Sequence, residues 1–93
     1  MGEQVVYILV DQIIDDAISL CAAQYFGGDR QRTRDSLEQG RRDVSHTFRE
    51  RLSHHIAEYV GKMDKNAKAV FRYEIYPVEM RLQEGEDLRA DKP

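Results

Sequence analysis

The chain contains a single cysteine, Cys21. One cysteine cannot form an intrachain disulfide, and it cannot supply the ligands of a cysteine-based zinc site. Long hydrophobic runs are also missing, since the apolar run Val5 to Val10 covers only six residues between Glu3 and Asp11. Such a run, with no basic segment before it, is neither a signal peptide nor a membrane span. We therefore expect a cytoplasmic protein without a cofactor and without membrane association.

Basic residues are absent from the first part of the chain. Residues 1–29 contain no lysine or arginine, whereas residues 30–51 contain seven arginines and no lysine. This change predicts a first segment that is largely buried and a second that meets solvent or anions. The net charge of -3 disfavours a dedicated nucleic-acid-binding protein, because such domains are usually basic, but it leaves room for a local patch.

The length of 93 residues allows one small domain. We assign residues 1–83 to a single domain and residues 84–93 to a charged, flexible tail or linker, because the tail is almost free of apolar residues. The alternative is that the chain is the N-terminal part of a larger protein.

The periodicity predicts a first helix over residues 4–26. At about 100° per residue, its apolar residues cover half of the circumference, which is wider than the stripe of an ordinary surface helix. We therefore expect this helix to be covered from two sides. The alternative makes Gln4 to Val10 a buried strand, because a short run of branched apolar residues fits both structures.

A second long helix is predicted after the glycine pair Gly27-Gly28, which favours a helix end. Residues 29–35 then form a charged connector, and Ser36 with Gln39 has the spacing of a capping box at a helix start. Apolar residues continue at helical spacing as far as Met63, and Gly40 is a weak interior position.

From Ala69 onward, apolar and polar residues alternate, which predicts a half-buried strand interrupted at Pro77. The predicted fold class is α+β: a long antiparallel helical hairpin followed by a short bulged strand or β-hairpin. One strand or hairpin cannot cover the second apolar side of the first helix. We therefore expect dimerisation to complete the fold.

The leading functional hypothesis is a non-enzymatic protein–protein interaction or oligomerisation domain. Its partner is a second copy, giving a homodimer, or another protein. The interface residues are expected on the apolar faces of the first helix and the strand, at Ile14, Ile18, Tyr25, Phe71, Tyr73 and Ile75.

A second hypothesis is a nucleic-acid-associated regulator. Guanidinium groups bind phosphates and carboxylates through paired hydrogen bonds, and the candidate anion-binding residues are Arg30, Arg32, Arg34 and Arg42. Four acidic residues between Arg30 and Arg51 reduce the net charge of that stretch, which favours a solvated surface.

A third hypothesis is a small metal-dependent hydrolase. His54 and Glu58 are one helical turn apart, and Asp11 and Asp15 are conceivable further ligands. These side chains project away from the apolar faces, so they are not expected to converge, and we assign no metal ligand and no catalytic residue. Cys21 lies on an apolar face and is expected to pack as a small hydrophobic residue.

Overall fold

The structure of the chain, a computed structural model, describes the backbone of residues 3–90 and the side chains of residues 4–78. Four helices follow one another in this part of the chain: α1 (Glu3–Tyr25), α2 (Arg30–Glu38), α3 (Arg42–Val60) and α4 (Lys65–Ala90). Residues 3–90 contain no strand. The predicted α+β fold class is therefore wrong.

The first helix matches the prediction, since α1 is continuous and the alternative strand at its start does not form. It ends before Gly27 and Gly28, whose φ angles of 59° and 93° are in the left-handed region. The residues that α1 buries recur every three or four positions: Val6, Leu9, Val10, Ile13, Ala17, Ile18, Cys21 and Ala22. Because α2, α3 and α4 all contact α1, the chain covers both apolar sides of this helix by itself.

The predicted second helix is divided into α2 and α3. The charged connector is helical, and Asp29 is the N-cap of α2, where its carboxylate accepts a hydrogen bond from the N–H of Arg32 at 3.0 Å. Ser36 does not cap a helix; it is buried within α2. Gly40 ends α2 with a φ of 72°, and the N–H of Arg41 bonds to the carbonyl of Ser36, which closes the turn in a Schellman arrangement.

The helices α1 and α3 pack antiparallel. Asp16 of α1 contacts Arg51 and His55 of α3, whereas Tyr25, further along α1, contacts Thr47 of α3. The predicted antiparallel pairing of the two long helices is therefore found, with α2 inserted between them in the sequence.

The segment predicted as a strand is the first half of α4. Ala67, Phe71 and Ile75, four residues apart, are buried with exposed fractions of 3, 0 and 2%, whereas Tyr73 is 79% exposed. This is the period of a helix, because a strand would place Phe71, Tyr73 and Ile75 on the same side. Phe71 and Ile75 fit both periods, so the alternation was ambiguous. Helix α4 provides the cover for α1 that we had assigned to a second subunit.

Asp64 starts α4 by accepting a hydrogen bond from the N–H of Ala67 at 2.8 Å, and this bond lowers the pKa of the Asp64 carboxyl. Pro77 lies inside the helix rather than at a strand edge. The backbone of the predicted tail, residues 84–90, continues α4, while residues 91–93 lie outside the described residues.

Candidate functional site

The residues predicted to form an interface have different positions in the fold. Ile18, Phe71 and Ile75 are buried in the core of the single chain, and Ile14 and Tyr25 are partly buried against it. Of the six residues, only Tyr73 is exposed. Charged substitution of Ile18 would therefore disturb the fold itself, and it cannot serve as a test of association.

The outer side of α4 carries an exposed aromatic surface. Tyr73 is 79% exposed and Tyr76 is 58% exposed. Together with Ala69 and Pro77 they lie at positions 69, 73, 76 and 77, which share one side of a helix, opposite the buried Phe71 and Ile75. We call these four residues the tyrosine face. A shallow depression is lined by this face and by two charged residues beside it, Arg72 and Glu74.

Pro77 gives the tyrosine face an additional polar group. Proline has no N–H, so the carbonyl of Tyr73, four residues earlier, lacks its helical hydrogen-bond donor. The face therefore combines two phenol groups, a methyl group and a pyrrolidine ring, beside a carbonyl that Pro77 deprives of its i+4 donor. Sequence analysis had included Tyr73 but missed Tyr76; the spacing of Ala69, Tyr73 and Tyr76 is the helical signal that could have revealed it.

A second exposed apolar group lies near the start of α1. Val5, Tyr7 and Ile8 are 50, 41 and 57% exposed. The two aliphatic side chains lie three residues apart, so they share one side of α1.

The four candidate anion-binding arginines do not form one site. Arg30 donates hydrogen bonds to Asp15 and Ser19 of α1, so its charge is paired. Arg32 and Arg34 are two residues apart on α2 and face different sides of the helix. Arg34 and Arg42 are exposed, and the structure shows no hydrogen bond or ion pair for either side chain within residues 4–78.

Arg41, which sequence analysis did not select, contacts the same aromatic ring as Arg32. The guanidinium carbon atoms of Arg32 and Arg41 are each 5.2 Å from the centroid of the Phe26 ring. Arg41 also donates two hydrogen bonds to the carboxylate of Asp43, at 2.8 and 3.0 Å. This pairing holds the pKa of Asp43 below its usual range and raises that of Arg41.

The most connected polar group between α1 and α3 is the carboxylate of Asp16. Its Oδ2 atom lies 2.7 Å from Nε of Arg51, which donates a hydrogen bond, and 2.6 Å from Nε2 of His55. The hydrogen bonds from Arg51 and His55 lower the pKa of Asp16. The other ring nitrogen of His55, Nδ1, is buried and has no hydrogen-bond partner within residues 4–78. Because this nitrogen is not accessible, the Asp16–His55 pair does not present a base to a substrate.

The remaining candidate residues, a possible nucleophile and four possible metal ligands, are not arranged for those roles. Burial raises the pKa of the Cys21 thiol to about 11, and its sulfur lies 3.8 Å from the carbonyl oxygen of Val44. Nucleophilic cysteines need the opposite shift. His54, Glu58, Asp11 and Asp15 do not converge, and no group of three or more potential metal ligands occurs within the described part of the chain.

None of the helices, over the residues that the structure describes, has the length and apolar character needed to span a membrane. Comparisons with protein-family models, with curated proteins and with solved structures give no match for this chain.

Proposed function

We propose that this protein is a small, non-enzymatic protein–protein interaction domain that associates with a second copy of itself through the tyrosine face of α4. The observation that carries the proposal is the exposure of Tyr73 and Tyr76 on one side of a helix whose other side is buried. Tyrosine is enriched at interfaces because it combines a large apolar ring with a hydroxyl that can form a hydrogen bond.

The composition of the tyrosine face supports an interface more than an ordinary solvated surface. Two neighbouring tyrosines, Ala69 and Pro77 provide an apolar centre, and Arg72 and Glu74 provide charges of both signs at its edge. Known interfaces have this distribution, with aromatic residues in the centre and polar residues around them.

A second copy of the chain is the simplest partner for the tyrosine face, since most soluble oligomers are homo-oligomers and two-fold dimers are the commonest. We place this dimer in the cytoplasm, in keeping with the single, buried cysteine.

Sedimentation velocity of the wild type over a range of concentrations tests this proposal. We expect a concentration-dependent shift from monomer to dimer. Replacing Tyr73 with aspartate should weaken the dimer by at least about tenfold, because a central interface tyrosine contributes on the order of 2 kcal/mol. Ile8→Asp is the control, since Ile8 is also an exposed apolar residue but lies on α1, away from the tyrosine face.

Three outcomes would contradict the proposal. A wild-type protein that remains monomeric at high micromolar concentration excludes self-association. A dimer that Ile8→Asp dissociates and Tyr73→Asp leaves intact places the interface on α1. Equal weakening by both variants indicates a nonspecific effect of added negative charge.

A further inference from the structure

We propose that the corner between α2 and α3 binds the phosphate group of a small ligand, and that Arg32, Arg41 and Arg42 are the binding residues. This site is independent of the tyrosine face, and it differs from the predicted set because it includes Arg41 and excludes Arg30 and Arg34.

The ring of Phe26 contacts two of the three guanidinium groups, those of Arg32 and Arg41. Arg32 does not itself line the depression at the turn between α2 and α3, which Arg41 and Arg42 do. Phe26 is 9% exposed, and Arg32 and Arg41 both lie within cation–π distance of its ring. A guanidinium group that stacks on a ring keeps the N–H groups at its edge available for hydrogen bonds. The aromatic contact therefore orders two long side chains before any ligand binds, which reduces the entropy lost on binding.

Arg41 retains hydrogen-bonding capacity in this arrangement. A guanidinium group has five N–H donors, and Asp43 accepts from only two of the nitrogen atoms, Nε and Nη2. The Nη1 amine is not used in that pair. Asp43 thus orients Arg41 and offsets part of its charge, and it leaves the Nη1 donors for a second acceptor.

Arg42 adds a third charge at an open part of the surface. Gln39, Gly40, Arg41 and Arg42 line a depression at the turn between the two helices, and no acidic residue belongs to that lining. Gly40 has no side chain that could fill the depression, and its φ of 72° makes the turn. An anion in this depression would meet Arg41 and Arg42 directly.

The arrangement favours phosphate over a carboxylate or a nucleic acid. A phosphate group offers several oxygen atoms in a tetrahedral arrangement, so it can accept from more than one guanidinium group at once. The aromatic rings at this corner are covered: Phe26 is buried and Tyr25 is half-buried, so neither provides a surface on which a base could stack. The net charge of -3 also disfavours a long polyanion.

Titration of isotope-labelled protein with inorganic phosphate, followed by amide NMR shifts, tests the proposal. We expect saturable shifts at Gly40, Arg41 and Arg42. Arg32→Ala and Arg42→Ala should each weaken phosphate binding about tenfold, the loss typical of a charged hydrogen bond. Arg34→Ala is the matched control, an exposed arginine on another side of α2, and it should leave the affinity unchanged. All three substitutions replace exposed side chains, and unchanged helix content by circular dichroism confirms that each variant folds.

A second titration with a short single-stranded oligonucleotide separates the two sources of phosphate. The proposal of a local phosphate site is supported if the oligonucleotide binds weakly and if Arg32→Ala and Arg42→Ala reduce this binding while Arg34→Ala leaves it unchanged. The proposal is overturned if millimolar inorganic phosphate gives no saturable shift, or if all three variants lose affinity equally. It is also overturned if only the oligonucleotide binds, since the surface would then recognise a nucleic acid.

Discussion

At the scale of single residues, Asp16 joins the antiparallel helices α1 and α3 electrostatically. One carboxylate oxygen accepts from Arg51 and contacts His55, so the charged form of Asp16 is favoured in the folded protein. The Asp16 side chain is 42% exposed, and solvent therefore weakens the pair. Asp16 therefore has a structural role: its contacts with Arg51 and His55 connect α1 to α3, and they also orient the His55 ring.

These contacts of Asp16 predict that Asp16→Asn lowers stability in a pH-dependent way. The folded pKa of Asp16 is lowered, so its contribution to stability is fully present above the unfolded value of about 4 and is lost as pH falls through the folded value. Urea unfolding should show the variant less stable than the wild type at neutral pH, with the difference shrinking in strongly acidic buffer. Asp11→Asn, on the same helix, serves as the control. A difference that is constant from neutral to acid pH would exclude this role.

Cys21 predicts a second measurable property of one residue. Its side chain is fully buried and its pKa is raised to about 11 by burial, compared with about 8.5 for a free thiol. We expect a thiol reagent at mildly alkaline pH to modify native protein only as fast as the protein unfolds. Rapid, stoichiometric modification without denaturant would show that the α1–α3 contact opens far more easily than its packing implies.

At the scale of secondary-structure elements, α4 shows where the sequence was ambiguous. Alternation from Ala69 to Ile75 fits a strand, and the helix is distinguished by the exposure of Tyr73 together with the burial of Ala67. Neighbouring helices bury one side of α4, and this tertiary contact overrides the local strand preference of aromatic and branched residues.

Paired substitutions distinguish the two structures of this segment. Phe71→Ala should reduce the free energy of unfolding by about 3–5 kcal/mol, the usual cost of removing a buried phenylalanine ring. Tyr73→Ala should change it by less than about 0.5 kcal/mol when measured on dilute, monomeric protein, because the side chain is exposed. Equal losses of unfolding free energy at the two positions would indicate a strand. Chemical denaturation of both variants measures these losses.

The turn between α2 and α3 gives a second test at this scale. Gly40 has a φ of 72°, whereas Gly61, at the end of α3, has a φ of -64° and no atom within 4 Å of an added Cβ. Gly40→Ala should destabilise the protein by about 1 kcal/mol. Gly61→Ala should leave stability unchanged or raise it slightly, because alanine gives the unfolded chain less conformational entropy than glycine does. Thermal unfolding that ranks the two variants in the reverse order would contradict the positions of these helix ends.

The sequence was sufficient for α1 and for the helical structure of α3, and insufficient for α2, for the break at Gly40 and for α4. The long apolar arc of α1 and the glycine pair after it are strong local signals, and both were interpreted correctly. Gly40 was treated as an interior defect although a left-handed glycine commonly ends a helix. For the candidate site, Tyr73 was identified, but its neighbours on α4 could be recognised only with the helical period.

At the scale of the whole molecule, α1 is the central element and the chain covers it without help. The reason first given for dimerisation, an unfilled side of α1, therefore does not hold. The surface that could join two copies is on α4, where Tyr73 and Tyr76 point outward. The proposed assembly thus adds an interface to a completed core, and we expect the monomer to fold independently on dilution.

The most direct test of this proposal is the distance between spin labels on two copies of the protein. Arg72→Cys places a label beside the tyrosine face, and Ser53→Cys places one on an exposed position of α3, while the buried Cys21 stays unlabelled. Pulsed dipolar spectroscopy should give a short intermolecular distance for position 72 and a longer one for position 53. Absence of intermolecular coupling at position 72, or a shorter distance at position 53, would contradict self-association through the tyrosine face.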